Sequence, residues 1–331
     1  MDDMIPSGPG DNNDNLDDMY ESLEEICNSY GFDDVGGLKE VKKEMMRYAK
    51  AIANPETFKK YGIRPPKGVI MYGKPGMGKT LLAKCFAAEI GKYIPEEKAD
   101  RTQILFTQLN LEEYVSMWLG QTSANLDRTL KAYDLIIRRA RSKNLDLKIV
   151  VYLDEMDAIG AKREGTHEAY QKMLGVLLKH MDGMDENSNI YWIGSTNRPD
   201  VLDPALCRPG RFDKLIEVNK YDKGGIREIY KIHIGKATEK SDFDELFKIT
   251  RWRAIEEAST NMSGAEIAEI VRRCVEYALW REVDYQNIKI PLREKHILKE
   301  IELFYNGKQP SDEVRKRVGF DVRRYINDED K

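Results

Sequence analysis

The chain has few cysteines and no apolar run long enough to cross a membrane. Its four cysteines, Cys27, Cys85, Cys207 and Cys274, lie far apart among 331 residues and form no C-x-x-C pair. This spacing argues against a zinc site or a disulfide framework and favours a reducing compartment. No apolar run approaches the roughly 20 residues that span a bilayer, and the N-terminus lacks the basic and apolar regions of a signal peptide. We therefore expect a soluble, cytoplasmic protein without a membrane span.

Positive charge is missing from the first 38 residues, which contain eleven Asp and Glu and no Lys, Arg or His. The whole chain has a net charge of −4, so the remainder, in which 53 Lys and Arg face 46 Asp and Glu, carries +7. A body of this charge can meet nucleic acid, but a basic rim around a nucleotide site or an acidic protein partner explains it as well. Nucleic acid is the less favoured partner.

The N-terminal region divides into two segments by composition. Residues 1–14 are rich in Pro, Gly, Asn and Asp, which predicts a disordered acidic arm. Residues 15–31 carry apolar side chains at spacings of three and four, which predicts a short amphipathic helix. These side chains are Leu16, Met19, Leu23, Ile26 and Tyr30. We expect this helix to dock on its own body or on a neighbouring subunit.

From residue 67 short apolar strands alternate with helical patterns, which predicts an α/β fold with a parallel sheet covered on both faces. The five predicted strands are 69–72, 104–109, 149–153, 190–193 and 215–218. The helices predicted among them are 79–91, 124–141 and 167–181. Beyond residue 221 helical patterns dominate, at 226–234, 243–250, 265–281 and 294–305. The prediction is a large α/β domain over 32–221, a small all-helical domain over 222–306, and a tail or surface helix over 307–331.

A phosphate-binding loop is the most informative motif. Residues 73–80 read G-x-x-x-x-G-K-T and directly follow the apolar run Val69-Ile70-Met71. Glycines allow successive backbone N–H groups to turn toward phosphate oxygens at the start of a helix. Lys79 can then reach the β- and γ-phosphates, and the Thr80 hydroxyl can bind Mg²⁺. The motif predicts a nucleoside triphosphate site.

Two adjacent acids predict hydrolysis of that nucleotide. Asp154 and Glu155 end the apolar strand that begins at Lys148, at the edge where sheets of this type place their ligands. Asp154 can hold Mg²⁺ through water molecules, and Glu155 can act as the general base toward an attacking water.

Polar residues after the next strand extend this site. Asn197 is expected beside the two acids, with an amide that can bond the attacking water or the γ-phosphate, although an Asn before a proline is also a common turn former. Arg208 and Arg211 flank a Pro-Gly pair, and rigidly held guanidinium groups suit a transition-state phosphate offered by another subunit. A structural salt bridge from an arginine to Asp200 or Asp213 is the alternative.

Read in order, these motifs resemble the AAA family of ATPases in its narrow sense, the branch of protein unfoldases and complex-disassembly machines. The resemblance covers roughly residues 31–305 and implies ATP and Mg²⁺ as cofactors and a homo-hexameric ring. It implies a first sensor at Asn197, arginine fingers at Arg208 and Arg211, and a switch at Asn110 that can hold the catalytic Glu155 inactive. The residues that it assigns to nucleotide contact are Asp34, Gly36, Pro75, Gly76, Met77, Gly78, Lys79, Thr80, Leu81, His233, Gly264 and Ala265.

The resemblance also implies a substrate pore. Residues 113–122 look like the family's first pore loop, with Trp118 and Leu119 as the residues that grip a polypeptide. A flat aromatic side chain on a mobile loop can hold an extended chain without reading its sequence. Trp118 as a core residue of a helix is the alternative. Met117 and Gln121 depart from the family's usual Lys and Glu, which puts grip or loop coupling in doubt.

The expected function is an ATP-driven ring that remodels, disassembles or unfolds protein substrates through a central pore. Since only about thirty residues precede the ATPase core, we expect targeting to be minimal or supplied by an adaptor protein. Two alternatives stay open: a nucleic-acid motor or loader on the same core, and a local enzyme-reactivating chaperone or switch that does not thread its substrate.

Overall fold

The structure, a computed structural model, describes residues 14–26, 30–111, 122–157, 167–182, 189–218, 220–285 and 291–307. The predicted arm up to residue 13 and the predicted tail from residue 308 lie outside these residues. The chain divides into two compact units. The sheet unit comprises Met1–Phe32, Val41–Gly73 and Lys79–Glu217, and the helical unit comprises Asp33–Glu40, Lys74–Gly78 and Val218–Lys331. The helical unit thus takes in two short segments that precede the predicted boundary at residue 221.

The sheet unit is built on six strands in the order β1-β3-β4-β5-β2-β6. Five of them run parallel, which confirms the predicted α/β class, and β1 pairs antiparallel with β3. The strands are β1 Glu24–Glu25, β2 Gly68–Tyr72, β3 Thr102–Asn110, β4 Asp146–Asp154, β5 Ile190–Thr196 and β6 Lys214–Glu217. The sheet therefore has one strand more than the five predicted.

Helices accompany these strands in the order expected for crossover connections. They are α1 Asp14–Glu21, α2 Lys39–Ala53, α3 Pro55–Lys60, α4 Lys79–Lys92, α5 Glu96–Ala99, α6 Thr122–Ser142 and α7 His167–Asp182. In α6 the buried residues Leu126, Leu130, Tyr133 and Ile137 follow the helical period and face the sheet core. The long central strands β4 and β5 are buried almost throughout, as strands covered on both faces must be.

The helix predicted over residues 15–31 is shorter than predicted. It ends at Glu21, and the chain then enters β1, where Glu24 and Glu25 pair with Phe106 and Leu105 of β3. Ile26 is fully buried beyond this strand. The spacing of apolar residues is shared by a helix and by a helix followed by an extended segment, so periodicity alone does not separate them.

Four helices lie among the described residues of the helical unit. They are α8 Lys223–Glu239, α9 Arg253–Ala258, α10 Gly264–Tyr285 and α11 Glu294–Gly307, and α10 packs on both α8 and α11. Asp222 caps α8, since its carboxylate accepts a hydrogen bond of 2.7 Å from the Gly225 backbone N–H. The buried core of the unit includes Ile226, Tyr230, Ile270 and Ile301.

The helix predicted over residues 243–250 is wrong. This segment is irregular, and Phe247 forms an isolated parallel bridge with Leu292. Leu246 and Phe247 are both buried, while Phe243 is 38% exposed. Two adjacent buried residues do not form the stripe that a surface helix needs, so packing overrides the apparent period.

Gly194 of β5 offers a test of packing at the centre of the sheet. A Cβ atom there would overlap the Met156 Sδ and lie 3.2 Å from the Ile70 Cγ1. We predict that Gly194→Ala lowers the free energy of unfolding by about 1–3 kcal/mol because this core has no room for the methyl group. Gly175→Ala is the control: Gly175 lies within α7 with nothing within 4 Å of the added atom, and we expect it to stabilise by about 0.5–1 kcal/mol. Denaturant titration measures both, and equal effects would contradict the prediction.

Candidate active site

Several predicted site residues of the sheet unit, among them Lys79, Asp154 and Asn197, lie at the carboxyl-terminal edge of the sheet. Gly73 follows β2, Asp154 ends β4, and Asn197 follows β5. The register pairs Asn110 at the end of β3 directly with Asp154. Because neighbouring parallel strands end together, one edge gathers residues far apart in the chain.

Lys79 is the buried cation of this edge. Its side chain lies at the start of α4, and the residue is 9% exposed. The Nζ donates to the Gly73 carbonyl oxygen at 2.8 Å and to the Asn197 Oδ1 at 2.7 Å. Burial lowers the pKa of Lys79, and the charges of Asp154 and Asp157 partly offset that effect. A desolvated ammonium at the end of a glycine-rich loop is suited to bind an anionic oxygen.

Asp154 is held by several hydrogen-bond donors. Its Oδ1 accepts from the Ser195 hydroxyl at 2.5 Å, from the Tyr152 hydroxyl at 3.0 Å and from the Glu155 backbone N–H at 3.0 Å. The Oδ2 lies 3.3 Å from the Gln108 amide nitrogen. Three donors from β4, β5 and the following turn thus hold this oxygen in place.

Glu155 is exposed and has a backbone φ of +53°. This left-handed conformation is unusual for glutamate and occurs where the surrounding structure fixes the chain. The next residue, Met156, is fully buried and its N–H donates to the Ser195 carbonyl oxygen at 2.8 Å. The strained turn therefore presents a carboxylate to solvent beside Asp154.

The backbone at Asn197 is fixed by Asp157, which lies two residues beyond Glu155. The Asp157 Oδ1 accepts from the Thr196 hydroxyl at 2.8 Å and from the Asn197 N–H at 3.3 Å. The Asn197 amide oxygen accepts the hydrogen bond from Lys79. The predicted pore residues Trp118 and Leu119 lie outside the described residues.

The two predicted arginine fingers have different surroundings. Arg208 is exposed. The Arg211 side chain is 13% exposed and forms a bidentate pair with Asp182, with Nε 2.7 Å from Oδ1 and Nη2 2.5 Å from Oδ2. Its Nη1 also donates to the Ala205 carbonyl oxygen at 2.6 Å. The guanidinium lowers the pKa of Asp182. Arg211 thus forms a salt bridge within the chain, but to a partner other than the two acids considered from the sequence.

The helical unit contains the middle of the phosphate loop. Gly76 and Gly78 have φ of +75° and +80°, which favours glycine. The Gly76 carbonyl oxygen accepts from the Ala265 N–H at 3.2 Å, and a Cβ on Gly76 would lie 2.9 Å from the Ser263 Oγ. Close packing at this glycine brings the predicted nucleotide-binding residues Gly264 and Ala265 against the loop.

Neighbouring residues complete this part of the helical unit. The Met77 side chain is buried, and its carbonyl oxygen accepts from the Tyr221 hydroxyl at 2.9 Å. Pro75 is exposed. In the sheet unit, Leu81 follows Thr80 in the first turn of α4.

A second set of predicted nucleotide-binding residues lies along α8. A Cβ on Gly36 would lie 2.5 Å from the Ile229 backbone nitrogen, so only glycine permits this approach. Asp34 forms a 3.1 Å ion pair with Lys236. His233 lies one turn after Ile229, and burial, followed by the charge of Lys236, lowers its pKa. In the helical unit, Asp34 and Gly36 therefore lie against α8, the helix that carries His233.

The sequence alone did not predict a role for some residues of the site. Tyr152, Ser195 and Asp157 support the predicted residues, and Asp182 anchors Arg211. The sequence could have indicated that Tyr152 lies near Asp154. Residues two apart on a strand share a face, and Tyr152 precedes Asp154 by two. No comparable signal links Asp182 to Arg211, which are 29 residues apart.

A separate cavity of about 420 Å³ opens at the amino-terminal edge of the sheet. Its lining includes the starts of β3, β4 and β5 and is rich in basic side chains, among them Lys59, Lys98 and Lys148. None of the predicted catalytic residues lines it.

A glycine-rich loop between a strand and a helix, a buried lysine at its end and an acidic pair after a neighbouring strand define a P-loop nucleotide-binding protein. Comparison with known families identifies the domain that carries these motifs. Residues 69–220 match the model of the ATPase family associated with various cellular activities (AAA). The chain therefore carries an AAA ATPase domain, which confirms the resemblance of its motifs.

The chain is also similar to several curated proteins. The chain is 33% identical over 301 residues to Protein SAV of Sulfolobus acidocaldarius, covering 88% of this chain and 35% of that protein. It is 36% identical over 264 residues to the proteasome-activating nucleotidase of Methanococcus vannielii, covering 78% of this chain and 57% of that protein. For the nucleotidase of Methanocaldococcus jannaschii the identity is 38% over 226 residues, with 66% and 47% covered. The chain thus spans between about a third and somewhat over half of each relative.

The described residues contain neither a membrane-spanning helix nor a cluster of metal-binding side chains. No helix among them is both long and apolar enough to cross a bilayer. Within the same ranges, no group of three or more His, Cys, Asp or Glu side chains converges as a metal site.

The unequal surroundings of the two arginines predict unequal effects on stability. We expect Arg211→Ala to lower the free energy of unfolding by about 1–2 kcal/mol, since it removes a bidentate pair whose value solvent reduces at the exposed Asp182. Arg208→Ala, at an exposed position, should change stability by less than about 0.5 kcal/mol. Thermal unfolding measures both variants. A stability loss in Arg208→Ala equal to that in Arg211→Ala would contradict the structure.

Proposed function

We propose that this protein is a Mg²⁺-dependent ATPase that hydrolyses ATP to ADP and phosphate. The observation that carries the proposal is the meeting of Lys79, Thr80, Asp154 and Glu155 at one edge of the sheet unit. These groups supply a phosphate-binding cation, two oxygen donors for a metal and a carboxylate base. The AAA domain supports ATP as the nucleotide.

The residues present fit a bound magnesium ion. Mg²⁺ prefers oxygen ligands and is usually held by one or two protein groups together with phosphates and water. The Thr80 hydroxyl and the Asp154 carboxylate are such groups, and a site of this kind needs no cluster of three acids. When bound, the ion would neutralise charge that develops on the phosphates.

Each remaining residue has a role that its geometry supports. Lys79 binds the phosphates, and its bonds to Gly73 and Asn197 hold the ammonium at the loop. Glu155 is exposed next to Asp154, and its carboxylate accepts a proton from the attacking water. Asn197 has its backbone fixed by Asp157 and can orient that water or the γ-phosphate.

Glu155→Gln tests the catalytic proposal. We expect turnover to fall at least about 100-fold, because the amide cannot accept the proton of the attacking water. ATP binding should persist, since the contacts of Lys79 and the loop remain. Phosphate release measures turnover and a fluorescent ATP analogue measures binding. Glu97→Gln, on the exposed face of α5, is the matched control, and a Glu155→Gln turnover within twofold of that control would refute the role of Glu155.

We also propose that the active protein is a homo-hexameric ring in which Arg208, with Arg211, acts on the nucleotide of a neighbouring subunit. The exposure of Arg208 supports a role outside its own subunit. Arg211 would serve that role only after exchanging its pair with Asp182, or it would hold the segment that carries Arg208. Light scattering of the ATP-bound Glu155→Gln protein gives the number of 38.2 kDa subunits.

The proposed substrates are proteins, remodelled or unfolded through the pore of that ring, with an adaptor as a possible further partner. Two of the similar proteins are named proteasome-activating nucleotidases, and that name attributes to them activation of a proteasome. The motif around Trp118 and Leu119 supports the same substrate class. A nucleic-acid motor and a chaperone that acts locally remain the alternatives.

Trp118→Ala separates these substrate classes. With a folded fluorescent protein that carries an unstructured tail as the probe, we expect the variant to retain basal hydrolysis and to lose unfolding of the probe. Trp280→Ala is the control, because Trp280 is 60% exposed on α10 and gives the same substitution elsewhere. Stimulation of hydrolysis by single-stranded DNA with steep salt dependence would favour the nucleic-acid motor. Stimulation by the tail without unfolding of the folded part would favour the local chaperone.

A further inference from the structure

Tyr152 occupies a position between the two predicted metal-binding side chains. Its residue is fully buried in β4, and its hydroxyl lies 3.2 Å from the Thr80 Oγ1 and 3.0 Å from the Asp154 Oδ1. One phenolic oxygen therefore contacts the only two side chains that the proposed function assigns to Mg²⁺.

The direction of these hydrogen bonds follows from the groups themselves. An ionised carboxylate can only accept, so the single Tyr152 hydroxyl proton points to Asp154. The Tyr152 oxygen is then an acceptor toward Thr80, and the Thr80 proton points to it. This order leaves the lone pairs of the Thr80 oxygen directed away from Tyr152. A hydroxyl that gives its proton to a neighbour is oriented to bind a metal with its lone pairs.

Packing fixes the tyrosine independently of its hydroxyl. The ring stacks on Phe106 of β3 with centroids 6.1 Å apart and an interplanar angle of 24°. Asp154 keeps its bonds from Ser195 and from the Glu155 N–H if the Tyr152 hydroxyl is removed. A phenylalanine at this position should therefore keep the ring and the carboxylate in place.

We propose that Tyr152 is a positioning residue that orients the Thr80 hydroxyl and the Asp154 carboxylate together for the magnesium ion of bound nucleotide. The proposal rests on the proposed ATPase function and deepens it. Tyr152 does not touch nucleotide in this account. It acts through Thr80 and Asp154, as the outer partners of metal ligands do.

Tyr152→Phe tests the proposal through binding as well as activity. A fluorescent ADP analogue is titrated in the presence of Mg²⁺ and again in excess EDTA. We expect the Kd with Mg²⁺ to rise about tenfold, the lower end of the effect of losing an outer partner of a metal ligand. The Kd in EDTA should stay within twofold of the wild type, because Lys79 and the loop are unchanged.

Tyr133→Phe is the matched control. Tyr133 is 3% exposed, and its hydroxyl lies 3.2 Å from the Thr107 Oγ1, so it loses the same kind of buried bond to a threonine away from the site. The loss in free energy of unfolding of Tyr133→Phe shows how much of the loss in Tyr152→Phe comes from removing a buried hydrogen bond alone. The control should change neither Kd by more than twofold. Equal Mg²⁺ dependence in the two variants would overturn the role of Tyr152.

A second variant covers the case in which Tyr152→Phe does not fold. Thr80→Ser keeps the hydroxyl but removes the branch that restricts the side-chain rotamer. If Tyr152 orients that hydroxyl, Thr80→Ser should keep the wild-type Mg²⁺ dependence within about threefold, whereas Thr80→Ala should lose it. A loss in Thr80→Ser as large as in Thr80→Ala would overturn the proposal.

The same titrations distinguish this proposal from the proposed function. A wild-type protein that binds the nucleotide equally well with Mg²⁺ and in EDTA would refute both. A wild type that hydrolyses ATP with clear Mg²⁺ dependence, beside a Tyr152→Phe that matches Tyr133→Phe, would refute only the role of Tyr152.

Discussion

The need to keep a charged carboxylate stable at the end of a buried strand governs this active site. Seven consecutive residues of β4 before Asp154 are buried, so this strand shields its side of the carboxylate from water. Hydrogen-bond donors must replace that water if the charge is to persist. They come from β4 itself through Tyr152, from β5 through Ser195, and from the turn through the Glu155 N–H. Correct pairing of β4 with β5 is therefore a condition for the chemistry as well as for the core.

The turn after Asp154 depends on the same core. Met156 fills space above Gly194, where any larger residue would collide with it. Burial of Met156 on one side and anchoring of Asp154 on the other leave Glu155 in a left-handed conformation between two fixed points. The exposure of the proposed base thus follows from packing of its neighbours, and the small side chain of Gly194 makes that packing possible.

The sequence predicted the class of fold and the main chemical groups because both depend on local patterns. Strands buried on both faces leave continuous apolar runs, and the phosphate loop is a contiguous motif. The sequence could not predict where α1 ends and β1 begins, because β1 depends on pairing with Phe106. It also could not predict the irregular segment around Phe247, because that segment depends on contact with Leu292 far along the chain. The same reason explains why Asp157 and Asp182 were missed. A hydrogen-bond partner that is distant in sequence leaves no periodic signal.

The short strand β1 has a consequence for the solubility of this fold. Strands at the edge of a sheet carry backbone groups that can pair with another chain and begin aggregation. Here two residues cover the middle of β3, and the Glu24 carboxylate forms a 2.7 Å ion pair with Lys84 of α4 that helps to hold them there. The other edge, β6, has only four residues and places a lysine and a glutamate at its ends. Both edge strands are short and carry charged residues, which disfavours pairing of this sheet with the sheet of another molecule. Such pairing would be a different kind of assembly from the closed ring proposed for this chain.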